Sequence, residues 1–117
     1  MPNSNISDNM TRGLFLTQYK GEWAPSDDLW LGMDFSYAGS VFRFQTDAMY
    51  ETHNLILEDG REARFYMYKQ NKVMDSVKYD MIGAYATTEE VLSQCLIDGE
   101  SFGAILDSGL IELLGQD

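Results

Sequence analysis

The sequence predicts an α+β fold: a single domain in which a curved antiparallel sheet of about five or six strands, arranged as hairpins, carries one or two short C-terminal helices. Three features predict it. Alternation of apolar and polar residues with a period of two recurs in residues 29–38, 41–46, 55–69 and 77–85, the spacing of strands with one buried face. Gly39-Ser40 and Asp59-Gly60 interrupt these runs, and such pairs are hairpin chemistry. Helical spacing appears only after Thr87, and strands followed by helices gather the helices on one side of the sheet.

In chain order, residues 1–12 read as a flexible N-terminal arm, polar and without hydrophobic period, and residues 13–117 as the domain. Leu14–Tyr19 is short, apolar and aromatic, and reads as a strand ending at Lys20-Gly21. Pro25-Ser26-Asp27-Asp28 is a turn. Leu29, Leu31, Met33, Phe35 and Tyr37 then form one face of a strand. The parity of the apolar residues changes after Gly39-Ser40, so Val41–Thr46 is either the second arm of a two-residue hairpin or the continuation of one strand through a bulge. Residues 47–54 fit a loop or a helical turn.

Leu55–Lys69 reads as a second hairpin centred on Asp59-Gly60. A two-residue turn would set Leu57 opposite Glu62 and Leu55 opposite Arg64. A three-residue loop with Gly60 in the left-handed region sets Leu57 opposite Arg61, Leu55 opposite Ala63 and His53 opposite Phe65, gathering Leu55, Ala63, Phe65 and Met67 on one face, and is preferred. Gln70-Asn71-Lys72 reads as a turn before a strand from Val77 to about Tyr85. Thr87 and Glu90 make a capping box for a helix to about Leu96 that Asp98-Gly99 ends. Ser101 caps a second helix, Phe102–Asp107, with Gly109 near its C-terminal end, and Leu110–Leu114 reads as a final strand.

Charge is the strongest compositional feature. The 117 residues carry a net charge of −11, unevenly spread. From Tyr79 to Asp117 there are eight acids and no Lys or Arg, leaving eleven acids and all eight bases to the first 78 residues. Such a field repels nucleic-acid phosphates and attracts basic protein surfaces. Nothing in the first dozen residues has the apolar run of a secretory signal, and no stretch has the roughly 18 consecutive apolar residues of a membrane span, so a cytoplasmic protein bound to neither membrane nor nucleic acid is expected.

Motifs for catalysis are sparse. His53 is the one histidine and Cys95 the one cysteine, which excludes paired-histidine metal sites, cysteine clusters and an intrachain disulfide. Cys95 shares an apolar stripe with Val91 and Leu92, where a core role outweighs that of a nucleophile paired with His53. Asp27-Asp28 and Glu89-Glu90 are neighbours in sequence, so their side chains diverge on a helix or strand instead of converging on a substrate. Glu58-Asp59 belongs to a turn, Asp98 and Glu100 match only a fragment of a calcium loop, and no glycine spacing is that of a phosphate loop. No cofactor is expected.

Two readings follow. The first is a non-enzymatic protein-binding module, of the inhibitor, immunity or mobile-element type met in bacteria and phages. It would dock a basic partner through Asp80, Glu89, Glu90, Asp98, Glu100, Asp107 and Glu112. The alternative is a small-molecule or peptide binder with a cleft lined by Trp30, Tyr37, Tyr66 and Tyr68, of which Trp30, Tyr66 and Tyr68 have the parity opposite to the apolar faces of their strands. A flat aromatic face covered by a second copy would make a homodimer instead, and burial of both sheet faces would leave no aromatic patch.

Overall fold

The computed structural model describes residues 10–19, 32–46, 48–49 and 53–116. It comprises α1 (Arg12–Gln18), β1 (Gly32–Tyr37), β2 (Ser40–Gln45), β3 (Phe65–Val73), β4 (Ser76–Tyr85), α2 (Thr88–Gln94), β5 (Leu96–Ile97), β6 (Glu100–Ser101), α3 (Phe102–Ser108) and β7 (Glu112–Gln116). Five strands form an open antiparallel sheet in the order β4-β3-β2-β1-β7, and β5 and β6 make a separate small hairpin. The expected α+β class, single domain and C-terminal helices are all present.

The first hairpin has the expected two-residue turn, but its turn residues are Ala38-Gly39 and not Gly39-Ser40, with Tyr37 paired to Ser40. Both turn residues have positive φ, 52° and 82°, the turn whose twist matches that of the flanking strands. This register sets Phe35 opposite Phe42 and Met33 opposite Phe44 on the buried face, and Asp34 opposite Arg43 on the other. The Asp34 carboxylate accepts from Arg43 Nη1 at 3.2 Å. The preceding Leu29–Leu31 lies outside the described residues, as does the turn at 25–28.

The second hairpin adopts the three-residue loop. Leu57 N–H donates to Arg61 O and Ala63 N–H to Leu55 O, both at 2.8 Å, and Gly60 has φ +90°. Regular pairing stops there, however. Around Arg64, whose N–H donates to Tyr85 O, the alternation is broken. Ala63 and Leu55 therefore lie with Tyr66 and Tyr68, while Phe65 and Met67 enter the main core. The single face expected for Leu55, Ala63, Phe65 and Met67 is thus divided between the two sides of the sheet.

Three further expectations are corrected. Leu14–Tyr19 is helical, not a strand. Thr11 caps α1 by accepting from Leu14 N–H, and Phe15 and Tyr19, one turn apart, are both buried with ring centroids 5.3 Å apart. A short apolar run has no period of its own, so packing decides. Residues 10–12, expected in the N-terminal arm, belong to the folded chain, because Met10 is fully buried, Thr11 caps α1 and Arg12 opens it; residues 1–9 lie outside the described residues. Finally, Gln70-Asn71-Lys72 is strand, and the chain reverses at Met74-Asp75 between Val73 and Ser76. No glycine marks that turn, and Met74 itself adopts φ 56°.

Thr87 and Glu90 form the reciprocal capping box of α2. This helix ends at Cys95 and is followed by the β5–β6 hairpin across Asp98-Gly99. Ser101 caps α3, and Gly109 in the left-handed region ends it. The final strand begins two residues later than Leu110 and pairs with β1.

Both faces of the sheet are covered. On one side α1, α2 and α3 bring Phe15, Val91, Leu92, Phe102, Ile105 and Leu106 against Met33, Phe35, Phe42, Phe44, Phe65 and Met67. On the other, Ala48, Met49, Leu55 and Leu57 pack over Tyr66 and Tyr68.

Candidate protein-interaction site

The acidic residues of the C-terminal third stand on several elements. Asp80 is on β4, Glu89 and Glu90 in the first turn of α2, Asp98 in the β5–β6 turn and Glu100 on β6, Asp107 on α3 and Glu112 on β7. Glu90 is fixed by the capping box, and both Glu89 and Glu90 are favoured by the helix dipole. The β5–β6 hairpin, with Asp98 in its turn, follows the C-terminal end of α2 in the chain.

Folding divides the seven acids into two kinds. Glu90 and Asp107 are held by arginines from earlier in the chain. Arg61 Nη2 lies 2.7 Å and Nη1 3.1 Å from the two Glu90 oxygens, and Arg12 grips Asp107 through Nη2 at 2.8 Å and Nε at 3.1 Å. Each guanidinium lowers the pKa of its carboxyl, chiefly by hydrogen bonding. The other five are exposed, and among the described residues no Lys or Arg forms an ion pair with them. Two of the five have a neutral donor: Asn71 Nδ2 donates to Asp80 at 3.2 Å and Ser36 Oγ reaches Glu112 at 3.4 Å. Glu89, Asp98 and Glu100 remain as open carboxylates.

An open cleft of about 440 Å³ adjoins the start of α2. It is lined by Leu57, Glu58, Asp59, Arg61, Ala84, Tyr85, Glu90 and Gln94, and of its three carboxylates Asp59 and Glu90 bind the one guanidinium. Arg61 also binds Asp59, through its backbone N–H at 3.0 Å and Nε at 2.8 Å, and both contacts lower the Asp59 pKa. Sequence reasoning assigned Glu58 and Asp59 to a turn and did not connect them with Glu90. The three-residue hairpin loop brings them together, and the only signal in the sequence was the Gly60 register.

Among the described residues, Tyr37 does not share a sheet face with Tyr66 and Tyr68. Tyr66 and Tyr68 are buried beneath Ala48, Met49, Leu55 and Leu57. Tyr66 Oη accepts from Leu55 N–H at 3.0 Å and donates to Ala63 O at 2.9 Å, while Tyr68 Oη accepts from Met49 N–H at 2.6 Å. Tyr37 is half-buried on the opposite face, against the main core. Trp30 lies outside the described residues. Burial of both faces, one of the expectations weighed above, therefore accounts for Tyr66 and Tyr68.

His53 is exposed, and Cys95 is fully buried in the helical core beside Tyr85. Burial raises the pKa of both the Cys95 thiol and the Tyr85 phenol. Among the described residues no three His, Cys, Asp or Glu side chains gather as metal ligands would, and no helix is long and apolar enough to cross a membrane. Comparison of the chain with known protein families, with characterised proteins and with solved structures finds no match.

Proposed function

We propose that this chain is a non-enzymatic protein-binding module that docks a basic partner surface through its acidic C-terminal third. One observation carries the reading: Glu89, Asp98 and Glu100 stay exposed, without a described cation or a hydrogen-bond donor, at the two ends of α2. The cleft beside Glu90 adds a place where an incoming arginine or lysine would compete with Arg61 for Asp59 and Glu90. Electrostatic complementarity of this kind acts mainly on association rate and on partner choice. Inhibitor, immunity and mobile-element proteins are the classes that use it in this way, and a cytoplasmic setting fits them.

The test is capture from native lysate at low and high salt, followed by mass spectrometry and by binding kinetics with the purified partner. A basic protein whose association rate falls with salt, and which the Glu89→Gln, Asp98→Asn, Glu100→Gln variant no longer retains, supports the proposal. Equal retention by that variant, or a captured partner with no basic surface, overturns it.

A further inference from the structure

The hairpin of β3 and β4 runs past the rest of the sheet. β2 pairs with β3 only from Tyr66 to Lys69, whereas β3 and β4 remain paired out to Val73 and Ser76. β4 stands at one end of the strand order, and no described strand pairs along its outer side. It is ten residues long, contains no proline, and leaves Val77 49%, Met81 47% and Ile82 40% exposed. A long, partly apolar free edge is a template for another strand.

The sequence of this edge is complementary to itself. In Val77-Lys78-Tyr79-Asp80-Met81, a cation and an anion flank Tyr79, and an apolar residue lies outside each. Place a second copy antiparallel about a two-fold axis through Tyr79. Lys78 then faces Asp80 of the second copy, Val77 faces its Met81, and each pair occurs twice.

The parity of the ladder agrees. The Met74-Asp75 turn closes on Val73 and Ser76, the pair joined by the turn hydrogen bond. Bonded and non-bonded pairs alternate from there. Lys78 and Asp80 therefore exchange their backbone bonds with Asn71 and Lys69, their partners in β3, and the N–H and C=O of Val77 and Met81 turn outward. In the two-fold register Val77 and Met81 of the second copy become a hydrogen-bonded pair. Lys78 and Asp80 of the second copy become the non-bonded pair, in which side chains approach most closely. The neighbouring registers of the same parity, displaced by two residues, set Lys78 against Lys78 or Asp80 against Asp80. Like charges directly opposite are unfavourable, so charge selects the one register.

We propose that the outer edge of β4 pairs with the β4 edge of a second copy, forming a two-fold dimer with a continuous sheet across both chains. The contact is narrow, so the dimer is weak and reversible. It does not depend on the acidic-docking reading, from which it withdraws only Asp80.

The test is sedimentation velocity over a rising concentration series of the full chain. The protein is expected to dimerise with concentration. Lys78→Asp and Asp80→Lys, each placing like charges opposite in both symmetric pairs, are expected to weaken the dimer by roughly tenfold. The double variant Lys78→Asp, Asp80→Lys is expected to restore it, and an equimolar mixture of the two single variants is expected to form a heterodimer. All of these positions are exposed, and thermal melts by circular dichroism check that each variant is folded. A chain that stays monomeric, a dimer indifferent to the single variants, or a failure of the double variant and of the mixture to recover association would each overturn the proposal.

Discussion

The Arg61 guanidinium spans the two oxygens of Glu90, with Nη1–Oε1 at 3.1 Å and Nη2–Oε2 at 2.7 Å, joining the tip of the 57–61 loop to the first turn of α2. Glu90 simultaneously accepts from the Thr87 backbone N–H at 3.2 Å. One carboxylate thus closes the helix cap and tethers the loop that covers the far face of the sheet. Its hydrogen bonds hold its pKa below the usual carboxylate range. A depressed folded-state pKa stabilises the fold above the unfolded value, about 4.3 for Glu, and that contribution is lost as pH falls through the folded value. Glu90→Gln should therefore lower the melting temperature at pH 7 and flatten its decline below about pH 4. Because Arg61 is exposed and solvent screens the pair, the change should be small. Thermal melts across pH 2–7 of both proteins, about the range of carboxylate titration, check this.

Thr87→Ala removes the other half of the cap. The Thr87 hydroxyl accepts from the Glu90 N–H at 3.2 Å, and loss of such a cap costs about 0.5–2 kcal/mol. Urea denaturation should show the midpoint falling with an unchanged m-value.

Phe102 sits where the helices and sheet meet. Its ring lies 5.4 Å from that of Phe15 on α1 and 5.5 Å from that of Phe35 on β1, and it is fully buried. Phe102→Ala should cost about 3–5 kcal/mol. Equilibrium unfolding in denaturant measures it, and a cost near zero would mean that α3 is not part of the core.

Ala38 adopts φ 52° in the β1–β2 turn, a region that costs a residue with a Cβ about 1–2 kcal/mol. Ala38→Gly loses that penalty but gains freedom in the unfolded chain. Ala38→Asn creates the Asn-Gly pair that this turn favours, and should raise stability by about 1 kcal/mol. Paired denaturation curves of the two variants separate the contributions.

Cys95 should resist thiol reagents in the native state, since it is fully buried and its thiol is shifted away from thiolate. Labelling with a chromogenic disulfide should proceed at the rate at which the α2 region opens, and should accelerate in mild denaturant.

By itself the sequence determined the elements whose cause is local. Alternation around Met33 and Phe35, the Gly60 loop, the Thr87–Glu90 box, and the Ser101 and Gly109 ends of α3 each depend on residues a few positions apart, and each was legible before the fold. Tertiary structure decided what depends on distant partners. Leu14–Tyr19 is helical because Phe15 and Tyr19 reach Phe44 and Phe102, contacts that a short apolar run does not encode. The β3–β4 turn falls at Met74-Asp75, where no glycine or proline signals it, because cross-strand pairing from Phe65–Tyr85 outward sets the register. Tyr66 and Tyr68 had the parity of an exposed patch, and they are buried because Ala48, Met49, Leu55 and Leu57 pack over them. The charge imbalance was plain from composition. Which acids stayed open to a partner was fixed only when Arg12 and Arg61, from the first two thirds of the chain, reached Asp107 and Glu90. An ion pair forms between charges that the fold brings together, whatever their separation in sequence.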